Sequence, residues 1–153
     1  MANLRDIFIA VNTGSVHEAA IPIENTLTGS VLESYDLLLE FDLVITAEEI
    51  TKEGEGYTRY LHIAKPMEMV RSQSVEYKRT VVFRLINEPG TLCNALLPLA
   101  SRGIDISKIE SRPVKESPFD YYFFLDLIGR PDFEEMFRAI EELRTDRKST
   151  RLN

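Results

Sequence analysis

Three short segments of this sequence bring together residue types that can do chemistry. In Pro22-Ile23-Glu24-Asn25-Thr26-Leu27-Thr28-Gly29-Ser30, a carboxylate, an amide and three hydroxyls surround a glycine just after an apolar run. Hydroxyls, an exposed amide and a following helix start can bind an anionic ligand through many neutral donors. The plainer reading is an Asn/Thr turn and helix cap. In Tyr57-Thr58-Arg59-Tyr60, a hydroxyl lies beside a guanidinium. The hydroxyl can donate to a carboxylate or a departing hydroxyl, and the guanidinium offers a fixed cationic fork. The plainer reading is alternation on a half-buried strand. The third segment is Ile109-Glu110-Ser111-Arg112-Pro113, taken with the turn Glu88-Pro89-Gly90-Thr91-Leu92. The N–H groups of a helix start would hold a carboxylate and Glu110 an ammonium, a combination that suits a free amino acid. The plainer reading is a turn plus a surface ion pair of little consequence. Cys93 reads as partly buried filler, His62 as a strand residue, and Glu48-Glu49 as a solvated strand end.

The composition bounds these possibilities. The 153 residues are 44% hydrophobic and 28% charged, a globular balance with enough apolar mass for a core. The net charge of −7 opposes phosphate backbones and anionic membranes, so no nucleic-acid and no membrane partner is expected. One cysteine excludes an internal disulfide, and with two histidines it leaves too few ligands for a zinc cluster, so no metal is expected. The expected compartment is the cytoplasm, since no apolar run reaches membrane-span length.

The charge is uneven. Residues 1–64 carry 3 basic and 11 acidic residues, whereas 65–79 carry a net +2. The latter stretch, KPMEMVRSQSVEYKR, has no clean period and reads as a linker. Ahead of it, DIFIAV reads as a strand or an apolar helix segment, and AAIPIEN as a short apolar run. Val31, Tyr35, Leu38 and Leu39 share a helical face, and DLVITAEEI and GYTRYLHIAK read as strands. Beyond the linker, Val81–Ile86 is a strand and Asn87–Gly90 a turn. Leu92, Ala95, Leu96, Leu99 and Ala100 recur on one helical face. A strand follows to about Val114, then a loop at KESPFD, then the aromatic strand DYYFFLDLIG. A helix is expected from Pro131, with Phe133, Met136, Phe137, Ile140 and Leu143 on one face. The order β-α-β-β-α is that of a ferredoxin-like unit short of its last strand. The tail at 146–153, DRKSTRLN, resembles a translated sequencing-library adapter, is too polar for a buried strand, and is set aside as adapter-derived.

Taken in order, these segments resemble prephenate dehydratase with its C-terminal phenylalanine-sensing ACT domain. IPIENTLTGSV resembles a PIENS-type motif with Thr26 in place of Ser. YTRY resembles TRF with Tyr60 in place of Phe, EPGTL resembles a GAL turn with Thr91 in place of Ala, and IESRP matches ESRP. The resemblance implies a fold of mixed α/β and α+β character. A partial periplasmic-binding-protein-like catalytic lobe would occupy 1–64, a linker 65–79, and an ACT domain lacking its last strand 80–145.

It also implies a reaction without cofactor, in which prephenate loses water and carbon dioxide to give phenylpyruvate on the route to phenylalanine. The catalytic residues would be Thr58, Glu24 and Asn25, with Asn25, Thr26 and Arg59 binding substrate. Phenylalanine would bind at Asn87, Gly90, Thr91, Leu92, Glu110, Ser111, Arg112 and Pro113 of ACT units paired in a homodimer. An arogenate dehydratase fragment and a non-catalytic phenylalanine-binding module are the alternatives. The family's second catalytic lobe has no counterpart between Ile50 and Gly54, and its glycine-rich opening motif is absent. The chain as written is therefore expected to be inactive or nearly so.

Overall fold

The computed structural model describes residues 3–66, 77–129, 138, 139, 141 and 150–152. It divides into two units, Met1–Val70 and Arg71–Asn153.

The first unit opens with helix α1 (Leu4–Thr13), which resolves DIFIAV as helical. A reciprocal cap starts it: Asn3 Oδ1 accepts from the Asp6 N–H at 2.8 Å, and Asp6 Oδ2 accepts from the Asn3 N–H at 3.2 Å. Phe8 and Val11, three apart on one face, are fully buried. Strands β1 (Glu18–Asn25) and β2 (Gly29–Ser30), helix α2 (Leu32–Glu40), and strands β3 (Val44–Glu53) and β4 (Gly56–Ala64) follow. The strands form one antiparallel sheet in the order β2-β1-β4-β3. Both helices lie against β1, and α1 also meets β4. Ile21, Ile23, Leu61 and Ile63 of the sheet are buried with Phe8, Val11, Tyr35, Leu37 and Leu38 of the helices. On α2 the inward residues include Leu37, while Val31 and Leu39 are only partly buried.

Two details of this sheet set its chemistry. The pairing of β1 with β4 shifts between Pro22 and Glu24: Pro22 opposes Tyr60, but Glu24 opposes Arg59 and Asn25 opposes Thr58. Ile23 is the extra residue of a β-bulge. Pro22, which has no N–H to give a ladder, sits at that irregularity. The second detail is the turn between β3 and β4. Glu53 pairs with Gly56 across only Gly54 and Glu55, and Gly54 has φ +61°. A tight hairpin favours glycine at such a position. No further chain is inserted at Ile50–Gly54.

The second unit is β5 (Tyr77–Leu85), α3 (Thr91–Ala100), β6 (Asp105–Pro113), β7 (Tyr121–Gly129) and β8 (Thr150–Leu152). The sheet runs β6-β7-β5-β8, antiparallel throughout. β5 opens at Tyr77, inside the stretch read as linker; residues 67–76 lie outside the described part. Val81, Phe83, Leu85, Leu125 and Leu127 pack with Ala95 and Leu99 of α3 and with Ala139. Phe83 and Phe123 stack at 5.8 Å within this layer. Ala100, expected on the buried face of α3, is exposed. The helix expected from Pro131 falls largely outside the described residues, although Arg138, Ala139 and Glu141 are helical.

The tail, set aside as too polar for a buried strand, pairs at Thr150–Leu152 with Val81–Phe83 as β8, on the free side of β5. An edge strand is held by backbone hydrogen bonds and needs no apolar sequence, and the bare edge of β5 offers a row of unpaired groups. Removing residues 146–153 should therefore quicken hydrogen exchange only at those amides within Val81–Phe83 that face β8. Unchanged exchange there would show that β8 does not hold.

Candidate active site

Asn25 ends β1 and turns the chain. Its Oδ1 accepts from the N–H groups of Leu27 at 2.8 Å and Thr28 at 3.3 Å. This Asx-type turn fixes the amide, because the oxygen must face the two N–H groups. The nitrogen is thereby aimed across the sheet, where Asn25 Nδ2 donates to Thr58 Oγ1 at 2.8 Å. The turn of the plainer reading is present but its helix cap is not, since Val31 stands at the N-cap of α2 with no side-chain cap bond; the other end of the Asn25 amide reaches Thr58. Thr26 serves the same turn. Its hydroxyl accepts from the Tyr57 N–H and its own N–H donates to the Tyr57 carbonyl, both at 2.9 Å. A Cβ at Gly56 would lie 2.8 Å from Leu27 Cγ, so a larger residue there would force the exposed Leu27 side chain to shift.

Thr58 is 4% exposed. Its hydroxyl accepts from Asn25 and donates to Glu53 Oε2 at 2.7 Å. Tyr60, two residues along and on the same face, donates to the other oxygen, Glu53 Oε1, at 2.7 Å. The Tyr60 hydroxyl first, then Thr58, holds the Glu53 carboxyl below the ordinary carboxylate range. The same bond raises the Tyr60 phenol. Farther along this face, His62 lies between Glu18 at 3.7 Å and Glu49 at 3.4 Å, with Thr46 also bonded to Glu18. Among the described residues no three His, Cys, Asp or Glu side chains form a metal-binding group. No described helix is long and apolar enough to cross a membrane.

Arg59 points the other way. Adjacent strand residues face opposite sides of a sheet, and the Arg59 side chain, 14% exposed, bonds Glu24 at 2.8 Å and Glu48 at 3.3 Å. The structure thus joins Asn25 to Thr58, and Glu24 to Arg59, but puts the two pairs on opposite faces. Sequence reasoning placed all four around one substrate. It also missed Glu53 and Tyr60, although Tyr60 shares the face of Thr58 by simple alternation.

In the second unit, β5 and β6 run in the same direction, so the Asn87–Leu92 turn and Pro113 lie at one end of the sheet. With β7 between the strands they are separated by roughly 10 Å. Gly90 caps α3, and Thr91 and Leu92 form its first turn. On β6, Ser111 opposes Phe123 on the face that carries α3, whereas Glu110 and Arg112 belong to the other face. Within one copy, then, only some of the expected residues converge. A neighbouring cluster holds the turn in place. Asp120 Oδ2 accepts from Arg84 at 2.8 Å and Ser117 at 2.7 Å, and its carboxylate also accepts from the Asn87 backbone. Arg84 first, then Ser117, holds the Asp120 carboxyl below its usual range. Cys93, read as partly buried, is exposed.

Comparison with known proteins gives this geometry its setting. The sequence model for prephenate dehydratase matches residues 1–53, and that for the ACT domain matches residues 79–145. A bifunctional chorismate mutase/prephenate dehydratase from Aquifex aeolicus is 32% identical over 143 residues, 93% of this chain. The prephenate dehydratase structure from Streptococcus mutans is 30% identical and superposes with a TM-score of 0.83, covering all of this chain and 80% of that one. The chain belongs to the prephenate dehydratase family. It spans 38% of the length of the Aquifex relative. A solved structure titled GqqA, a quorum quenching acylase, superposes with a TM-score of 0.88 at 26% identity, over 99% of this chain and 78% of its own. A prephenate dehydratase from Arthrobacter aurescens, solved in complex with L-Phe, shares the fold at 19% identity and a TM-score of 0.84. The prephenate dehydratase match ends at Glu53, so Asn25 lies within it and Thr58, Arg59 and Tyr60 lie beyond it.

The Asp120 cluster fixes a pH dependence. A carboxyl whose folded-state pKa is depressed adds stability above its unfolded pKa, about 3.9, and that stability is lost as pH falls through the lower folded value. Asp120→Asn should flatten the acid limb of a urea-midpoint profile below about pH 4. An unaltered limb would place the titration elsewhere.

Proposed function

We propose that the first unit carries one wall of a prephenate dehydratase site and the second a phenylalanine-binding ACT unit. The observation that carries the reading is the 2.8 Å bond from Asn25 to Thr58, the point at which the two family-like segments PIEN and TR meet in register. In the reaction the ring's carboxylate leaves as carbon dioxide, the freed electron pair enters the ring, and the hydroxyl departs to form water with a proton. Thr58 Oγ1 would bond the departing hydroxyl once its proton is released from Glu53. Asn25 stabilises Thr58 whenever electron density builds on its oxygen, because it donates to that atom. Thr26 contributes by holding the turn. Glu24 and Arg59, paired on the far face, brace the end of β1 from behind and act on the substrate's carboxylates only at a distance.

A single sheet face open to water gives little of the preorganised field that such a step needs. We therefore propose that this chain alone turns over prephenate slowly or not at all, and that phenylalanine binding is the activity it retains. The turn at Gly90–Leu92 supplies N–H groups at a helix start. Ser111 and Pro113 lie at the same end of the sheet, and a paired copy would bring in Glu110 and Arg112. The fold does not choose the chemistry by itself, since an acylase shares it. Phenylpyruvate formation by the purified chain should fall at least a thousandfold below that of a full-length relative, while calorimetry shows heat with millimolar phenylalanine. Turnover near the relative's would refute the inactivity. Silence with phenylalanine would refute the sensing.

A further inference from the structure

The face of the first sheet that carries Thr58 holds an arrangement that the reading above does not use. Glu53 presents two carboxylate oxygens, and each takes a separate hydroxyl: Oε2 from Thr58 and Oε1 from Tyr60, both at 2.7 Å. Two donors spaced to meet the two oxygens of one carboxylate make a receptor for that group. Thr58 is 4% exposed and is backed by Asn25, so the donor is fixed rather than adaptable. The occupant comes from the chain itself, at the last residue before the two-residue turn. Tyr60 stands where the resembling motif carries Phe, and a Phe could not bond the second oxygen.

We propose that the Thr58–Tyr60 hydroxyl pair is a carboxylate-binding site whose resident occupant is Glu53, so that an external carboxylate binds only by displacing it. The proposal deepens the prephenate reading and rests on it for the identity of the natural guest, but the receptor itself is defined by carboxylate chemistry alone; Thr58 has one proton, so a carboxylate seated there is held in a pose other than the reacting one, in which Thr58 bonds the departing hydroxyl. Two consequences follow from the geometry. While Glu53 is seated, the Thr58 proton points at Glu53 and is not available to another acceptor. A guest carboxylate must also meet the Glu53 charge, and like charges at contact oppose binding. Tyr60 is therefore a further binding residue, and Glu53 an internal competitor.

Calorimetric titration of the full chain with prephenate and, separately, with phenylacetate tests this. Glu53→Ala and Glu53→Gln should each bind phenylacetate at least tenfold more tightly than the unchanged chain. Adding Tyr60→Phe to either should remove most of the gain. Glu55→Ala removes the same charge two residues away in the turn and should change affinity less than twofold. Using both Glu53 variants keeps the test valid if one fails to fold, which far-UV circular dichroism reports. An equal gain from Glu55→Ala, or no gain for either ligand, overturns the proposal. A gain for phenylacetate without one for prephenate upholds the carboxylate site and removes the prephenate reading.

Discussion

The extra residue at Ile23 is the constraint on which the site depends. Pro22 opposes Tyr60, and continuing that register without a shift would set Glu24 against Thr58 and Asn25 against Tyr57. The bulge moves the pairing by one, and a one-residue slip transfers every later side chain to the other face. Only then do Asn25 and Thr58 oppose each other and come within 2.8 Å. Pro22 is suited to the position because the ladder is already broken there. Its carbonyl is not wasted, for it accepts from the fully buried Ser34 hydroxyl at 2.6 Å, which ties α2 to the same irregularity.

The same shift sorts the charges. Glu24 and Arg59 become cross-strand partners on the helix-covered face, with Glu48 as a second acceptor. Around Thr58 the other face carries neutral donors, namely the Asn25 amide and the Thr58 and Tyr60 hydroxyls, with Glu53 accepting from the two hydroxyls; Glu18, Glu49 and His62 lie farther along it. Arg59 is thus committed to its two carboxylates, and the groups around Thr58 form directional bonds without net charge. In a unit with 11 acidic against 3 basic residues over 1–64, neutral donors can hold an anion without a cation.

Much of the fold was legible in the sequence. Apolar periodicity marked the helical face of Ala95 and Leu99, and alternation placed Tyr60 and His62 opposite Leu61 and Ile63. DIFIAV remained ambiguous because its run of five apolar residues after Asp6 fits either period, and the Asn3–Asp6 cap marks it as a helix start. Three features were hidden for physical reasons. A bulge breaks the two-residue period by a single step that composition does not mark. Glu53 acquires its partners only when a two-residue turn folds it back on Thr58. β8 forms through backbone bonding to an open edge, which polar side chains do not report. The pairing of Asn25 with Thr58 came from resemblance to a family and not from spacing, since 33 residues separate the two.

The central claim is that Asn25 and Thr58 act as one bonded unit, and a double-mutant cycle on urea unfolding measures this directly. Asn25→Ala and Thr58→Val, singly and together, should show a coupling of about 1 kcal/mol, the usual net worth of a side-chain hydrogen bond. Single-mutant effects that add to within about 0.3 kcal/mol would mean that the two side chains do not share a bond, and would contradict the account.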